Sequence, residues 1–304
     1  MRVYYIGNTV SGRPLLDRIA GDDRLVLVGL SDEVERAADG AARYNVDGID
    51  AATLSDDVSI ARIADASPDL LVNFDSLRLL PPAVFNLARV AAINFHPGPL
   101  PQYAGLHVHQ WGIMNGETAF AISLHLIEDG IDTGDIVARR DFEITAKDTG
   151  LTVFAKCLRE GVTAFADIID TLAAGRPLTR KPQDLAQRHY YSAAMIVAAR
   201  LDPTGPVGTA LNFVRALSYW PLQSPSITPR LAWYGGEIEI VSAERGPDAA
   251  DVPAGTIAAI DDGGIDLACA DGTLRITRAM TAKGPVAAAE WAAANNLAVG
   301  QVLT

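Results

Sequence analysis

Asn94-Phe95-His96-Pro97-Gly98-Pro99-Leu100-Pro101 is the stretch on which the fold of this chain turns. The residues before it, Ala91-Ala92-Ile93, are apolar, and prolines follow at 97, 99 and 101. A short strand must end there, because proline brings no ladder donor. Asn94 and His96 therefore stand two apart at a strand end, and period-two alternation points both to the same side. Further along, Asp129-Gly130-Ile131-Asp132-Thr133-Gly134-Asp135 reads as a Gly-flanked loop between two strand-like segments, Ala119 to Leu126 and Asp135 to Arg139. A return strand brings Asp132 beside His96.

Read singly, these residues are ordinary: Asn94 ends a strand, Asp132 makes an Asx-turn, and His96 is a hydrogen-bonded structural histidine. Together they are the parts of an acyl-transfer site. An amine attacking an amide carbon builds negative charge on the oxygen, and one preorganised donor aimed there contributes about 3 kcal/mol. Asn94 offers amide hydrogens. His96, with an ordinary pKa near roughly 6.5, exchanges protons close to neutral pH and donates when charged. Asp132 holds the imidazole tautomer, favours its charged form and accepts the proton leaving the amine.

Outward from this stretch, strands and helices alternate. Arg2 to Gly7 reads as a strand, Arg13 to Ala20 as a helix with Leu15, Leu16 and Ile19 at helical spacing, and Arg24 to Leu30 as a strand. Val58 to Ala64 is helical, Asp69 to Asn73 a buried strand, and Pro82 to Ala88 a helix entered through two prolines. The order predicts an α/β fold with a Rossmann-like, doubly wound, mostly parallel sheet and sites at the strand C-terminal ends. A long amphipathic helix, about Thr152 to Ala174, carries Val153, Phe154, Cys157, Leu158, Val162, Phe165 and Ile168 along one face. The polar stretch Arg176 to Arg188 reads as linker. After a helix over Gly208 to Ser218 the pattern changes to short strands, Glu237 to Val241, Gly255 to Ile260, Ile265 to Cys269 and Leu274 to Thr277, then a helix over Ala287 to Leu297. Gly-rich turns between them predict a small β-barrel. The expected division is a catalytic domain over 1–175, a linker over 176–205 and a barrel domain over 206–304.

Composition agrees. The 304 residues are 49% hydrophobic and 20% charged, enough for two globular cores. The N-terminal apolar run is too short for a secretory signal and no segment reaches membrane-span length, so a cytoplasmic protein is expected. Two cysteines, Cys157 and Cys269, make no disulfide framework or zinc pattern and read as buried thiols. Gly7 to Gly12 lacks both the dinucleotide fingerprint and the Lys-Ser/Thr of a P-loop, which argues against a nicotinamide or ATP site.

The combined pattern resembles the folate-dependent formyltransferases, which include methionyl-tRNA, glycinamide ribonucleotide and nucleotide-sugar N-formyltransferases. Their Asn-x-His with a following x-Leu-Pro is Asn94-Phe95-His96 with Pro99-Leu100-Pro101, and their Asp-x-Gly is Asp132-Thr133-Gly134. The second half is similar to the OB-like C-terminal domain of some members, through Asn212-Phe213-Val214-Arg215-Ala216-Leu217, Trp220-Pro221, Gly255-Thr256-Ile257 and Asp271-Gly272-Thr273-Leu274. The resemblance implies a one-carbon transferase with Asn94, His96 and Asp132 as catalytic residues and 10-formyltetrahydrofolate as formyl donor. It also implies that Leu79, Leu80 and Pro81, with Gly130 and Ile131, meet the pterin.

The acceptor amine stays open. With 25 Lys and Arg against 37 Asp and Glu, the net charge is −12. Nucleic-acid affinity rests on neutralising phosphates, so a tRNA acceptor is disfavoured. From Pro206 onward there are six basic and ten acidic residues, and Gln102-Tyr103-Ala104-Gly105 has Ala104 where the tRNA and many sugar enzymes carry an arginine. The expected acceptor is a small amine, either a nucleotide-linked amino sugar or an amino-acid-type amine. Leu106 to Trp111 reads as the start of a helix facing the cleft, with Tyr103, His107 and Gln110 as candidate acceptor contacts. His107, His109 and His125 match no familiar zinc spacing, so no metal is expected. A homodimer is open. The alternatives are a methionyl-tRNA formyltransferase, a formyltetrahydrofolate hydrolase using water at the same site, and a catalytically silent ligand-binding homologue.

Overall fold

The computed structural model describes residues 1–248 and 251–304, and the chain divides into two compact units. The first comprises Met1–Gly105, Phe120–Phe142 and Ala155–Tyr190. The second comprises Leu106–Ala119, Glu143–Phe154 and Tyr191–Thr304, so the C-terminal region is joined in it by two segments from before residue 175.

In the first unit β1 (Arg2–Gly7) runs Val3 to Ile6 without an exposed side chain, as expected of a central parallel strand covered on both faces. It pairs in parallel with β2 (Val26–Asp32) and β4 (Leu70–Phe74). β3 (Gly48–Asp50) adds outside β2, and β5 (Ala91–His96) adds in parallel to β4. The chain thus builds outward from β1 in one direction and returns on its other side. That reversal is the switch point at which doubly wound sheets open a crevice. β6 (Ala104–Gly105) is a two-residue strand; β7 (Ala119–Leu126) then lies antiparallel against β5, and β8 (Ile136–Glu143) closes the order β3-β2-β1-β4-β5-β7-β8.

The helices follow their apolar spacing. α1 (Arg13–Ala20) has proline in its first turn and buries Leu15, Leu16 and Ile19. α2 (Val34–Tyr44) covers a stretch in which no helix is expected from sequence. Its buried face is only Ala37 and Gly40, too small to register as a hydrophobic stripe, and Asn45 caps it in the left-handed region. α3 (Asp57–Ala66) extends slightly beyond its expected ends, whereas α4 (Pro82–Phe85) is a single turn and stops three residues short of Ala88. α5 (Val108–Met114) belongs to the second unit. α6 (Gly150–Ala173) buries Val153, Cys157, Phe165, Ile168 and Ile169. Gly161 is needed in that helix, since a Cβ there would stand 2.5 Å from the Phe95 ring, which itself stacks on Phe74 at 4.4 Å.

The stretch expected to be linker does more than connect. Lys181 and Ile136 exchange both backbone hydrogen bonds at 2.9 Å, so this segment extends the pairing of β8. Beyond β9 (Tyr190–Tyr191) and α7 (Ala193–Ala198), α8 (Val207–Leu217) packs in the second unit on a curled antiparallel sheet. That sheet has the order β10-β11-β14-β13-β12. Its strands are β10 (Arg230–Trp233), β11 (Gly236–Arg245), β12 (Ile257–Asp261), β13 (Gly264–Cys269) and β14 (Gly272–Thr281), and β15 (Gly284–Ala287) pairs with β14. α9 (Ala288–Ala294) closes the core with Trp291. Among the described residues no helix is long and apolar enough to cross a membrane.

Candidate active site

β5 ends at His96, and its last residues set the site. In register, Asn94 pairs with Asn73 of β4 on one side and His125 of β7 on the other, while His96 pairs with Ser123. The proline segment beyond β5 is tied down by buried Ser123, whose Oγ donates to the Gly98 carbonyl at 2.9 Å and accepts the Leu100 N–H at 3.1 Å.

Asp132 arrives from the β7–β8 loop with φ of +55°, a left-handed conformation that Asp tolerates better than most residues. Gln183 Nε2 donates to the carbonyls of Asp132 at 3.0 Å and Gly134 at 2.7 Å, and Arg188 Nη2 to that of Ile131 at 3.1 Å. The Asp132 carboxylate is 11% exposed. Its Oδ2 accepts the Gly105 N–H at 2.9 Å and lies 3.6 Å from His96 Nδ1, and its Oδ1 lies 3.5 Å from His125 Nε2. The three residues expected to act together do converge.

His96 departs from expectation in its electrostatics. Its Nε2 donates to the Tyr103 carbonyl at 2.5 Å, leaving Nδ1 to face Asp132. Burial pulls the imidazole below its ordinary pKa, with Asp132 and the Tyr103 carbonyl pulling the other way, so the resting group is neutral. Burial alone would raise Asp132, but the attraction of a charged His96, the His125 contact and the Gly105 N–H hold its carboxyl well below the usual carboxylate range. The arrangement is a neutral imidazole beside an ionised carboxylate, a pair poised to accept a proton at Nδ1.

The other expected contacts are more scattered. Leu79 is largely exposed and, with Leu77, Arg78, Pro81, Ala52 and Leu54, lines a cavity of about 290 Å³ in the first unit; Leu80 packs inward on that unit's core. Gly130 and Ile131 lie on the exposed side of the Asp132 loop. Tyr103 is buried with its ring edge-on to Phe120 at 5.1 Å, so it reaches the site through its carbonyl. His107 and Gln110 fall in the second unit. His107 precedes α5 with φ of +56°, and Gln110 is fully buried with its Oε1 accepting from Ser226 Oγ at 3.0 Å. Asn73, Ser123 and Gln183 go unnoticed from sequence, and His125 is weighed there only as a metal ligand, because strand register and a distant loop bring them in. Among the described residues no cluster of three His, Cys, Asp or Glu side chains could hold a metal ion.

A doubly wound sheet with Asn, His and Asp converging at the end of one strand defines a candidate acyl-transfer enzyme. Residues 29–169 match the family described as "Formyl transferase" and residues 199–296 its C-terminal domain, and the chain belongs to the formyl transferase family. It is 32% identical over 227 residues to the methionyl-tRNA formyltransferase of Ectopseudomonas mendocina (strain ymp), covering 75% of this chain and 69% of that relative. Two solved structures share the fold. The N-formyltransferase of Helicobacter canadensis, in complex with folinic acid and dTDP-3-aminofucose, gives a TM-score of 0.64 at 16% identity, covering 90% of this chain and 97% of that one. HypX of Aquifex aeolicus, in complex with tetrahydrofolic acid, gives 0.66 at 19% identity, covering 98% of this chain and 48% of that one.

Proposed function

We propose that the chain transfers a formyl group from 10-formyltetrahydrofolate to the primary amine of a small acceptor, either a nucleotide-linked amino sugar or an amino-acid-type amine. The observation that carries this is the convergence of Asn94, His96 and Asp132 at the end of β5. The folate donor is supported by the ligands of the related structures, tetrahydrofolic acid in one and folinic acid in the other. The exposed Leu79 beside a cavity in the first unit suits an apolar face of the donor's ring system.

The donor supplies the formyl carbon as an amide. Asn94 Nδ2 keeps one N–H beyond the hydrogen bond it gives His125, and that N–H serves the formyl oxygen as negative charge grows on it. The attacking amine forms the new C–N bond and must lose a proton. His96 Nδ1 receives it, stabilised by ionised Asp132 3.6 Å away. The bond from the formyl carbon to the donor nitrogen then breaks as that nitrogen takes the proton back from His96, so tetrahydrofolate and an N-formyl amine leave and His96 returns to its neutral form.

Methionyl-tRNA is the second reading, favoured by the 32% identical relative. The net charge of −12 and Ala104 weigh against it. The test is tetrahydrofolate release from 10-formyltetrahydrofolate with nucleotide amino sugars, hydroxyornithine-like amines, methionyl-tRNA or water alone. Acceptor-dependent release that disappears in His96→Ala supports transfer and names the acceptor. Release at the same rate with water alone makes the protein a hydrolase, and absence of folate binding makes it a silent homologue.

A further inference from the structure

Three polar side chains lie in one row across adjacent strands, Asn73 on β4, Asn94 on β5 and His125 on β7, each in direct register with the next. The hydrogen bonds along the row have a single direction. His125 Nδ1 lies 2.8 Å from the Leu126 carbonyl, which can only accept, so Nδ1 carries a proton, while Nε2 meets the Asn94 amide and stands 3.5 Å from Asp132 Oδ1. Asn94 turns its Nδ2 toward His125, at 2.9 Å. Its Oδ1 then faces β4, where Asn73 Nδ2 donates to it at 2.8 Å.

We propose that Asn73 is a positioning residue for formyl transfer: it locks the Asn94 amide in the orientation that presents the remaining Nδ2 hydrogen to the formyl oxygen. This rests on the functional reading above. An amide is symmetric in shape and can flip at little steric cost, exchanging a donor for an acceptor. In the flipped state Asn94 would aim its oxygen at the site and at His125 Nε2, repelling the charge it must stabilise. The His125 bond opposes the flip from one side and the Asn73 bond from the other. Asn73 is 6% exposed and its Oδ1 has no hydrogen-bond partner among the described residues, a desolvation cost that an apolar side chain in this strand would avoid. A residue kept only for packing has no use for that cost, whereas a fixed donor toward Asn94 does.

The test is binding of two stable folate analogues that differ only in the formyl group, 10-formyl-5,8-dideazafolate and 5,8-dideazafolate, by titration calorimetry. Wild-type protein is expected to prefer the formylated analogue. Asn73→Leu, similar in shape without a donor, is expected to shrink that preference by about tenfold, the scale of one hydrogen bond, while affinity for the unformylated analogue stays within about twofold. Asn73→Ser, smaller and safe from overpacking, leaves its hydroxyl about one bond short of Asn94 and is expected to lose the same preference. Equal weakening of both analogues, or an unchanged preference in both variants, overturns the proposal. Failure of wild-type protein to bind either analogue overturns the functional reading on which it rests, a result distinct from both.

Discussion

Replacing Asp132 by Asn removes one charge and almost nothing else. The side chain keeps its size, its oxygen can still accept the Gly105 N–H now held at 2.9 Å, and its new NH2 faces His125 Nε2, from which the carboxylate stands 3.5 Å away. What disappears is the attraction between a carboxylate and the imidazolium formed when His96 takes a proton. At the 3.6 Å separation of Asp132 Oδ2 and His96 Nδ1, two unit charges at an effective dielectric near 20 interact by about 4.6 kcal/mol. Lost entirely from the transition state, that is about three decades in rate; the polar amide restores a part. The expected result is a fall of roughly 10²–10³-fold in kcat with KM for 10-formyltetrahydrofolate nearly unchanged, because the charge develops only as the amine is deprotonated. Initial rates of tetrahydrofolate formation with the acceptor found by the panel measure both constants, and the thermal midpoint controls for folding. A kcat within tenfold of wild type would refute the pairing of Asp132 with His96 as the means of handling the proton.

Two further outcomes follow from the same geometry. Ser123→Ala removes the hydroxyl that bonds Gly98 and Leu100, leaving a buried carbonyl and a buried N–H without it. A loss of roughly 2–4 kcal/mol in urea-induced unfolding of the first unit is expected, and a change under about 0.5 kcal/mol would mean water replaces the clamp. For His96, burial sets the folded pKa below the ordinary value, so as pH falls the unfolded chain takes up the proton first. Stability from this group is present above about pH 6.5 and is lost as pH falls from there toward the lower folded pKa. His96→Gln is expected to flatten that part of the stability profile, and the acid limb of kcat/KM in wild type is expected below about pH 6.5. An acid limb above that value would mean that His96 rests in its charged form.

Much of the fold is legible because its signals are local. β1, α1, β4 and the long helix α6 each repeat their apolar residues at the spacing of the element they form, and prolines and glycines mark where they stop. α2 escapes for a physical reason: the close approach it makes uses Ala37 and Gly40, and a Cβ on Gly40 would stand 3.0 Å from Leu30. Small residues permit tight packing and leave almost no hydrophobic signature. The polar stretch after residue 175 misleads in the opposite way. It reads as linker because it lacks apolar periodicity, yet Gln183 and Arg188 hold the backbone of the Asp132 loop through carbonyl contacts that no hydrophobic pattern records.

The candidate site divides along the same line. Asn94 and His96 are visible in sequence because two residues at a strand end share a face whatever the neighbouring strands are, and Asp132 because glycines on either side advertise a tight loop. The groups that decide how those three behave are visible only once strands are placed side by side. Ser123 faces His96 and His125 faces Asn94 through the register of β7, and Asn73 meets Asn94 through that of β4. A shift of one residue in either pairing would turn each of these side chains to the opposite face of the sheet. The direction of the Asn94 amide depends on those neighbours and on the Leu126 carbonyl that sets the His125 tautomer. The direction in which the Asn94 amide points is thus a property of the assembled sheet, set from the two strands that flank β5.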